Sequence, residues 1–259
     1  MAKRQRLLWM ALLAVGFTSA AQAQELRRFN LGVDVGSTTY CTDFRENQAI
    51  RATSSVTLFS PNGSCELETT TNRHYYGIKT EFISSNGYIG LSTGLRYTQI
   101  KSTLKREDWL DYSKYKFYVL YSQNGSTTEY AQVENLDQEV DYLGIPLDLR
   151  LYTMKPRFFR LFINLGFDFG IKVADKATID FANATMNPHE AQVGRALGTP
   201  ASFLATFNPG LGFKLGSNDG LNVSMQVNLP SYIISTKAST LATSGLGIGA
   251  QLSIYYPIM

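Results

Sequence analysis

Over long stretches of this chain, apolar and polar residues alternate one for one. In 29–36, Phe29, Leu31, Val33 and Val35 alternate with Asn30, Gly32, Asp34 and Gly36. In 158–173, Phe159, Leu161, Ile163, Leu165, Phe167, Phe169 and Ile171 form one face. Arg160, Asn164, Gly166, Asp168, Gly170 and Lys172 form the other, with Phe162 breaking the rule. In 221–229 and 245–256 the same period runs through Leu221, Val223, Met225, Val227 and Leu229, and through Leu246, Ile248, Ala250, Leu252 and Ile254. Segments 75–83, 88–100, 142–152 and 202–215 follow it less strictly. A helix would scatter these apolar residues around its axis. The pattern therefore predicts eight β-strands, most near the roughly 9–11 residues that a tilted strand needs to cross a bilayer.

The connections alternate in length. Ser84-Ser85-Asn86-Gly87, 153–157 and Ser217-Asn218-Asp219-Gly220 are short, and Asn-Gly and Asp-Gly suit turns that need positive φ. The others, roughly 37–74, 101–141, 174–201 and 230–244, are long. Short turns on one side and long loops on the other mark an up-and-down transmembrane barrel, an all-β antiparallel fold. With eight strands, both termini fall on the short-turn, periplasmic side.

Alternation alone does not say which face is outside, because a soluble barrel would turn the apolar face inward. A charge on a lipid-facing wall costs about 2–4 kcal/mol at the midplane, so in a membrane the apolar faces point out. By parity, Asp34, Lys79, Glu81, Arg96, Asp148, Arg150, Arg160, Asp168, Lys172 and Lys214 then point into the lumen. An eight-stranded barrel is just wide enough to be filled by its side chains. These charges are read either as a packed salt-bridge network or as an ion path. Aromatics near the strand ends (Phe29, Tyr75, Tyr76, Tyr88, Tyr97, Tyr142, Tyr152, Phe158, Phe159, Tyr232, Tyr255 and Tyr256) form interfacial girdles or serve simply as good strand formers.

The first segment supports the membrane choice. Lys3, Arg4 and Arg6 precede an uncharged apolar run over 7–17, and Ala21-Gln22-Ala23 fits a cleavage site. Residues 1–23 read as a signal peptide and 24–259 as the barrel domain, with a retained anchor as the alternative. Of 24 Lys and Arg, three lie in 1–23, against none of the 21 Asp and Glu; 21 of each remain. A neutral mature chain offers nothing for nucleic acid, whose binders carry a basic patch. No uncharged apolar run of about 18 residues follows Gln24, so no transmembrane helix is expected. No zinc spacing, CxxC, GxGxxG or P-loop occurs, and no cofactor, metal or catalytic residue is expected.

Several positions stand apart. Pro146 and Pro209 fall within predicted strands, where each removes a ladder donor, so a bulge or a frayed pairing is expected at each. Cys41 and Cys65 fall in one outer loop, as a disulfide of about 3 kcal/mol or as two thiols. His74 and His189 are the two histidines, and His74 beside Ser54 or Ser55 is the sole arrangement resembling a nucleophile and base. Around Asn124-Gly125, residues 116–134 suggest a hairpin above the membrane, with Tyr115, Phe117, Val119 and Tyr121 on one side. Those aromatics and Trp109 either offer a partner surface or pack on neighbouring loops.

At 142–152 the chain reads YLGIPLDLRLY, which resembles a strand of the PorT-like outer-membrane β-barrel family of Bacteroidota. KPRFFRLFINLGFDFGI at 155–171, NPGLGFKLG at 208–216 and GLGIGAQLSIYY at 245–256 are similar to later strands of that family. The resemblance implies an eight-stranded barrel inserted from the periplasm, with Pro146 as a family feature. It also implies a link to type IX protein secretion for some members.

The resulting expectation is a non-enzymatic outer-membrane β-barrel, embedded in outer-membrane lipid, with a structural or partner-binding role. Loops 37–74 and 101–141 are the expected site of a protein partner. An accessory component of a secretion system is the second reading. A narrow channel of the porin kind and a lipid-modifying enzyme come after it.

Overall fold

A computed structural model describes residues 28–45, 47–51, 67–106, 116–124, 127–153, 158–216, 220–243 and 245–258. The expected signal peptide, Cys65, Ser54, Ser55, Trp109 and Tyr115 lie outside the described residues. Among the described residues there are ten strands: β1 (Arg28–Thr42), β2 (Ile50–Arg51), β3 (Leu67–Ile83), β4 (Ile89–Arg106), β5 (Phe117–Asn124), β6 (Thr127–Tyr152), β7 (Phe159–Phe181), β8 (Phe203–Gly216), β9 (Asn222–Ile233) and β10 (Leu246–Pro257). A 3₁₀ turn (Ala184–His189) runs into a short helix, α1 (Glu190–Ala196), between β7 and β8.

Eight strands close a ring in the order β1-β3-β4-β6-β7-β8-β9-β10 and back to β1, every pair antiparallel. Closure leaves no free sheet edge inside the membrane, where an unpaired backbone group would find no water. Arg28 and Pro257 lie at the end that carries the short turn at 84–88, while the turns expected at 153–157 and 217–220 fall largely outside the described residues. At the turn 84–88, Ser84 donates to the Ile89 carbonyl at 2.8 Å. Gly87 sits there at φ 76°, a conformation that glycine adopts without a Cβ clash.

The outward face of the lower strands is apolar, as expected: Val33 on β1, Ile78 on β3, Leu95 on β4, Ile145 on β6 and Leu211 on β8 are all more than half exposed. Leu147→Arg, in mid-belt, is expected to cost about 2–4 kcal/mol. Gln99→Arg, higher on an outward wall, should stay within about 0.5 kcal/mol. Urea unfolding in lipid vesicles, read by the gel-mobility shift of the closed barrel, compares the two.

The two prolines perturb the sheet in different ways. At Pro209 the β8–β9 register slips by one residue between Phe207 and Gly210. At Pro146 the β4–β6 pairing lapses between Thr93 and Arg96 and resumes in the same register. Pro146, which has no N–H to donate, faces this gap in the ladder.

The strands run well past the predicted ends. Segments 37–42, 67–74, 101–106, 127–141 and 174–181, expected in loops, continue the ring upward. Their alternation inverts. On β4 the outward residues change from Leu91, Leu95 and Tyr97 to Gln99 and Lys101, while the inward ones change from Ser92 and Arg96 to Ile100 and Leu104. On β6 the change falls between Leu143 and Asp141 outside, and between Asp148 and Val140 inside. The inversion marks the waterline. Below it hydrocarbon lies outside and the charges go in. Above it water lies outside and the apolar residues go in.

Above the waterline the inward apolar residues make a cap. Ile50, Leu67, Leu104, Phe117, Val119, Val133, Leu136, Ile179, Val193, Leu197 and Leu241 form one buried cluster. The hairpin of β5 and β6 is present around 124–127, but Phe117 and Val119 are fully buried in this cluster and do not form an exposed aromatic surface. Beneath it, Tyr40, Ile100, Val140, Tyr142, Leu204, Ile233 and Ala238 form a second layer. The connection after β9 folds inward over the ring, where Gln138 accepts from Ser239 at 2.9 Å and from the Thr240 N–H at 2.8 Å. The Thr243 N–H donates to the Asp43 carbonyl at 2.9 Å, tying this connection to the end of β1.

Candidate functional site: the lumen

Below the cap the lumen is filled by charges from six strands. Inward parity puts Asp34 on β1, Arg73, Lys79 and Glu81 on β3, Arg96 on β4, Asp148 and Arg150 on β6, Arg160 and Asp168 on β7, and Lys214 on β8. All are buried. They sort into two layers along the axis.

The middle layer holds three cations and three carboxylates. Asp168 accepts from Arg73 and Arg96, and Arg96 reaches on to Asp34. Lys79 pairs with Asp148 and lies 3.4 Å from Asp34. The remaining lone pairs of Asp168 take Thr206 Oγ1 at 3.1 Å and Asn208 Nδ2 at 2.9 Å. Each ion of this layer has a charged partner, which is what makes burial of charge tolerable, although Asp34 Oδ1, Arg73 Nε and Arg96 Nε make no hydrogen bond.

The lower layer turns on Glu81. Its Oε1 accepts from Arg150 Nη1 at 3.0 Å and Tyr152 Oη at 2.6 Å. Its Oε2 takes Lys214 Nζ and, at 3.2 Å, Asn30 Nδ2. Arg160 stacks over the Tyr152 ring, 4.8 Å from its centroid.

Aromatic rings pack between these ions, and the inward glycines make room for them. A Cβ on Gly36 would stand 2.3 Å from the Tyr75 ring, and one on Gly212 would stand 2.4 Å from Phe162. Tyr75 lies between Arg73 and Arg96, with guanidinium-to-ring distances of 4.7 and 4.2 Å, and its hydroxyl donates to Gln251 at 3.0 Å. Phe162, the exception in the alternation, faces inward and meets Tyr152 edge-on at 5.6 Å.

Several sequence expectations change here. Tyr75, Tyr142, Tyr152 and Tyr255 are buried and inward, so they belong to no girdle. Phe29 and Phe82 at 4.7 Å, and Tyr76 and Tyr97 at 5.0 Å, pair on the outer wall. Lys172 does not join the network. It keeps the inward parity, opposite buried Tyr142, but sits at the upper rim, where its ammonium lies 2.9 Å from Asp175 and 3.5 Å from the Pro200 carbonyl. Arg73, Thr206 and Asn208 were not foreseen. Arg73 fell in a supposed loop, though it keeps the parity of Tyr75, Lys79 and Glu81.

Cys41 lies on the outward face of β1 and not in a loop. His74 is on the outward face of β3, between Ser37 and Gln99 in register, and His189 contacts Gln192 at 2.8 Å on the cap. Higher on the outer wall, Lys101 stands 3.1 Å from Asp137 and 3.3 Å from Glu139. The hydrogen bond to Asp137 is the main cause that raises Lys101 above the ordinary lysine value. Exposed pairs like these contribute little to stability.

A sequence profile described as outer membrane protein beta-barrel domain matches residues 20–230. The chain belongs to that family. This outer-membrane barrel is similar in structure to the outer membrane protein OprG from Pseudomonas aeruginosa. Identity is 12%, with 91% of this chain and 99% of that one covered and a TM-score of 0.40. It is similar as well to Ail, the attachment invasion locus protein of Yersinia pestis, at 9% identity. There 88% of this chain and 97% of that one are covered, with a TM-score of 0.32. No curated protein matches the chain significantly.

Proposed function

We propose that this outer-membrane barrel is a closed, non-enzymatic protein that holds a rigid extracellular platform for a structural or partner-binding role. The observation that carries the reading is the double seal of the lumen: a paired charge network below and an apolar cap above. Among the described residues, both layers fill the axis with side chains. The strand extensions above the waterline give the platform its height. A tilted strand needs about 9–11 residues for the bilayer, whereas β6 has 26 and β7 has 23. The surface formed by the upper walls, the β5–β6 hairpin and α1 is where a protein partner would bind.

Planar-bilayer recording tests the seal. The purified protein is expected to show no steady conductance at moderate voltage, and open steps in most insertions would defeat the reading. The resemblance of YLGIPLDLRLY at 142–152 to PorT-like barrels favours a second reading, an accessory role in protein secretion. Purification in mild detergent separates the two. A secretion component recurring in stoichiometric amount supports the second reading, and an unaccompanied barrel supports the first.

A further inference from the structure

The two lumen layers differ in charge balance. In the middle layer Arg73, Lys79 and Arg96 meet Asp34, Asp148 and Asp168. In the lower layer three cations, Arg150, Arg160 and Lys214, share one carboxylate, Glu81, and each is at most 1% exposed. Glu81 binds Arg150 and Lys214, which leaves Arg160 with no ion-pair partner among the described residues.

The backbone makes the imbalance sharper. Arg160 and Lys214 stand directly opposite each other in the β7–β8 register. Like charges at such a position repel, and here water does not screen them. A buried charge without a partner is strongly unfavourable.

Unused polar atoms surround the same place. Arg160 Nε and Nη1, Arg150 Nε and Nη2, Ser224 Oγ and Tyr255 Oη are buried with no hydrogen-bond partner. They come from four strands. Ser224 faces Lys214 in the β8–β9 register, and the Tyr255 ring is 5.1 Å from Lys214 Nζ and 5.5 Å from Arg150 Cζ. Two guanidinium groups with free N–H donors, an ammonium and two hydroxyls are the donor set that a small anion requires.

We infer that the lower lumen of this barrel binds a small inorganic anion between Arg150, Arg160 and Lys214, as the counter-charge that Glu81 alone does not supply. The anion is structural. It sits inside the closed wall, so it acts on folding stability and not on transport.

The purified barrel in neutral detergent is melted at constant ionic strength in sodium bromide, in sodium phosphate, and in a salt of bulky HEPES. Crystals grown in bromide are measured at its absorption edge. The expected result is a saturable rise of several degrees in midpoint with bromide or phosphate over HEPES. A bromide or phosphate peak should lie among the three cations. Arg160→Gln, which removes one excess charge, should lose most of the rise. Ser224→Asp, which places a carboxylate opposite Lys214, should raise the midpoint in HEPES and abolish the dependence. Equal midpoints for the wild type in all three salts, with water alone among the cations, would overturn the inference.

Discussion

Glu81→Ala is expected to destabilise the barrel by about 3–5 kcal/mol, the usual cost of breaking a buried ion pair from one side. Glu81 is fully buried and accepts from Arg150, Lys214, Tyr152 and Asn30. Its removal strands Arg150 and Lys214 beside Arg160, at a level that holds no second carboxylate among the described residues. The penalty comes from the charges left behind, not from the loss of one contact. Glu81→Gln keeps the shape and an accepting oxygen but not the charge, and should fall between wild type and alanine. Urea unfolding in vesicles, with the heat-modifiable gel shift as the signal, reads the order. An alanine variant within about 1 kcal/mol of wild type would mean that the lower layer is wet and its charges already hydrated.

Phe117→Ala should cost about 3–5 kcal/mol by emptying a ring-sized volume from the cap. Its effect differs in kind from that of Glu81. Phe117 lies above the waterline, in a cluster to which β2, β5 and α1 contribute, while ring closure depends on the β1–β10 pairing and the belt below. The cap should therefore loosen while the barrel stays inserted. Limited proteolysis of intact cells checks this: new cleavage between 107 and 135 is expected, with the heat-modifiable barrel band unchanged. Loss of both together would show that the cap and the ring fold as one unit.

These two variants divide the molecule along the boundary where sequence reasoning stopped working well. The eight ring strands, their order and the sign of the lower faces were legible because lipid outside and polar atoms inside impose a strict period of two. The lumen charges on β1, β3, β4, β6, β7 and β8 followed from parity alone. Above the membrane the same period continues with opposite phase. At the crossing, apolar residues sit at neither consistent parity, as at Tyr97–Ile100 and Val140–Leu143, so the strands looked as if they ended. Arg73 and the cap were lost for that reason. Lys172 keeps its predicted parity but stands too high on β7 to reach the network, because parity gives a face and not a height.

By itself the sequence determined a closed membrane barrel with a wet, charged interior, since alternation and loop lengths are local properties of the chain. Which charges meet depends on ring closure. Arg73 and Asp168 are 95 residues apart, and Lys214 and Glu81 are 133 apart. Their contact is set by strand tilt and register around the whole ring, which no local pattern encodes. The same holds for the excess of positive charge around Glu81. It is invisible in residues 24–259, which carry equal numbers of acids and bases, and appears only when the fold sorts those charges by height.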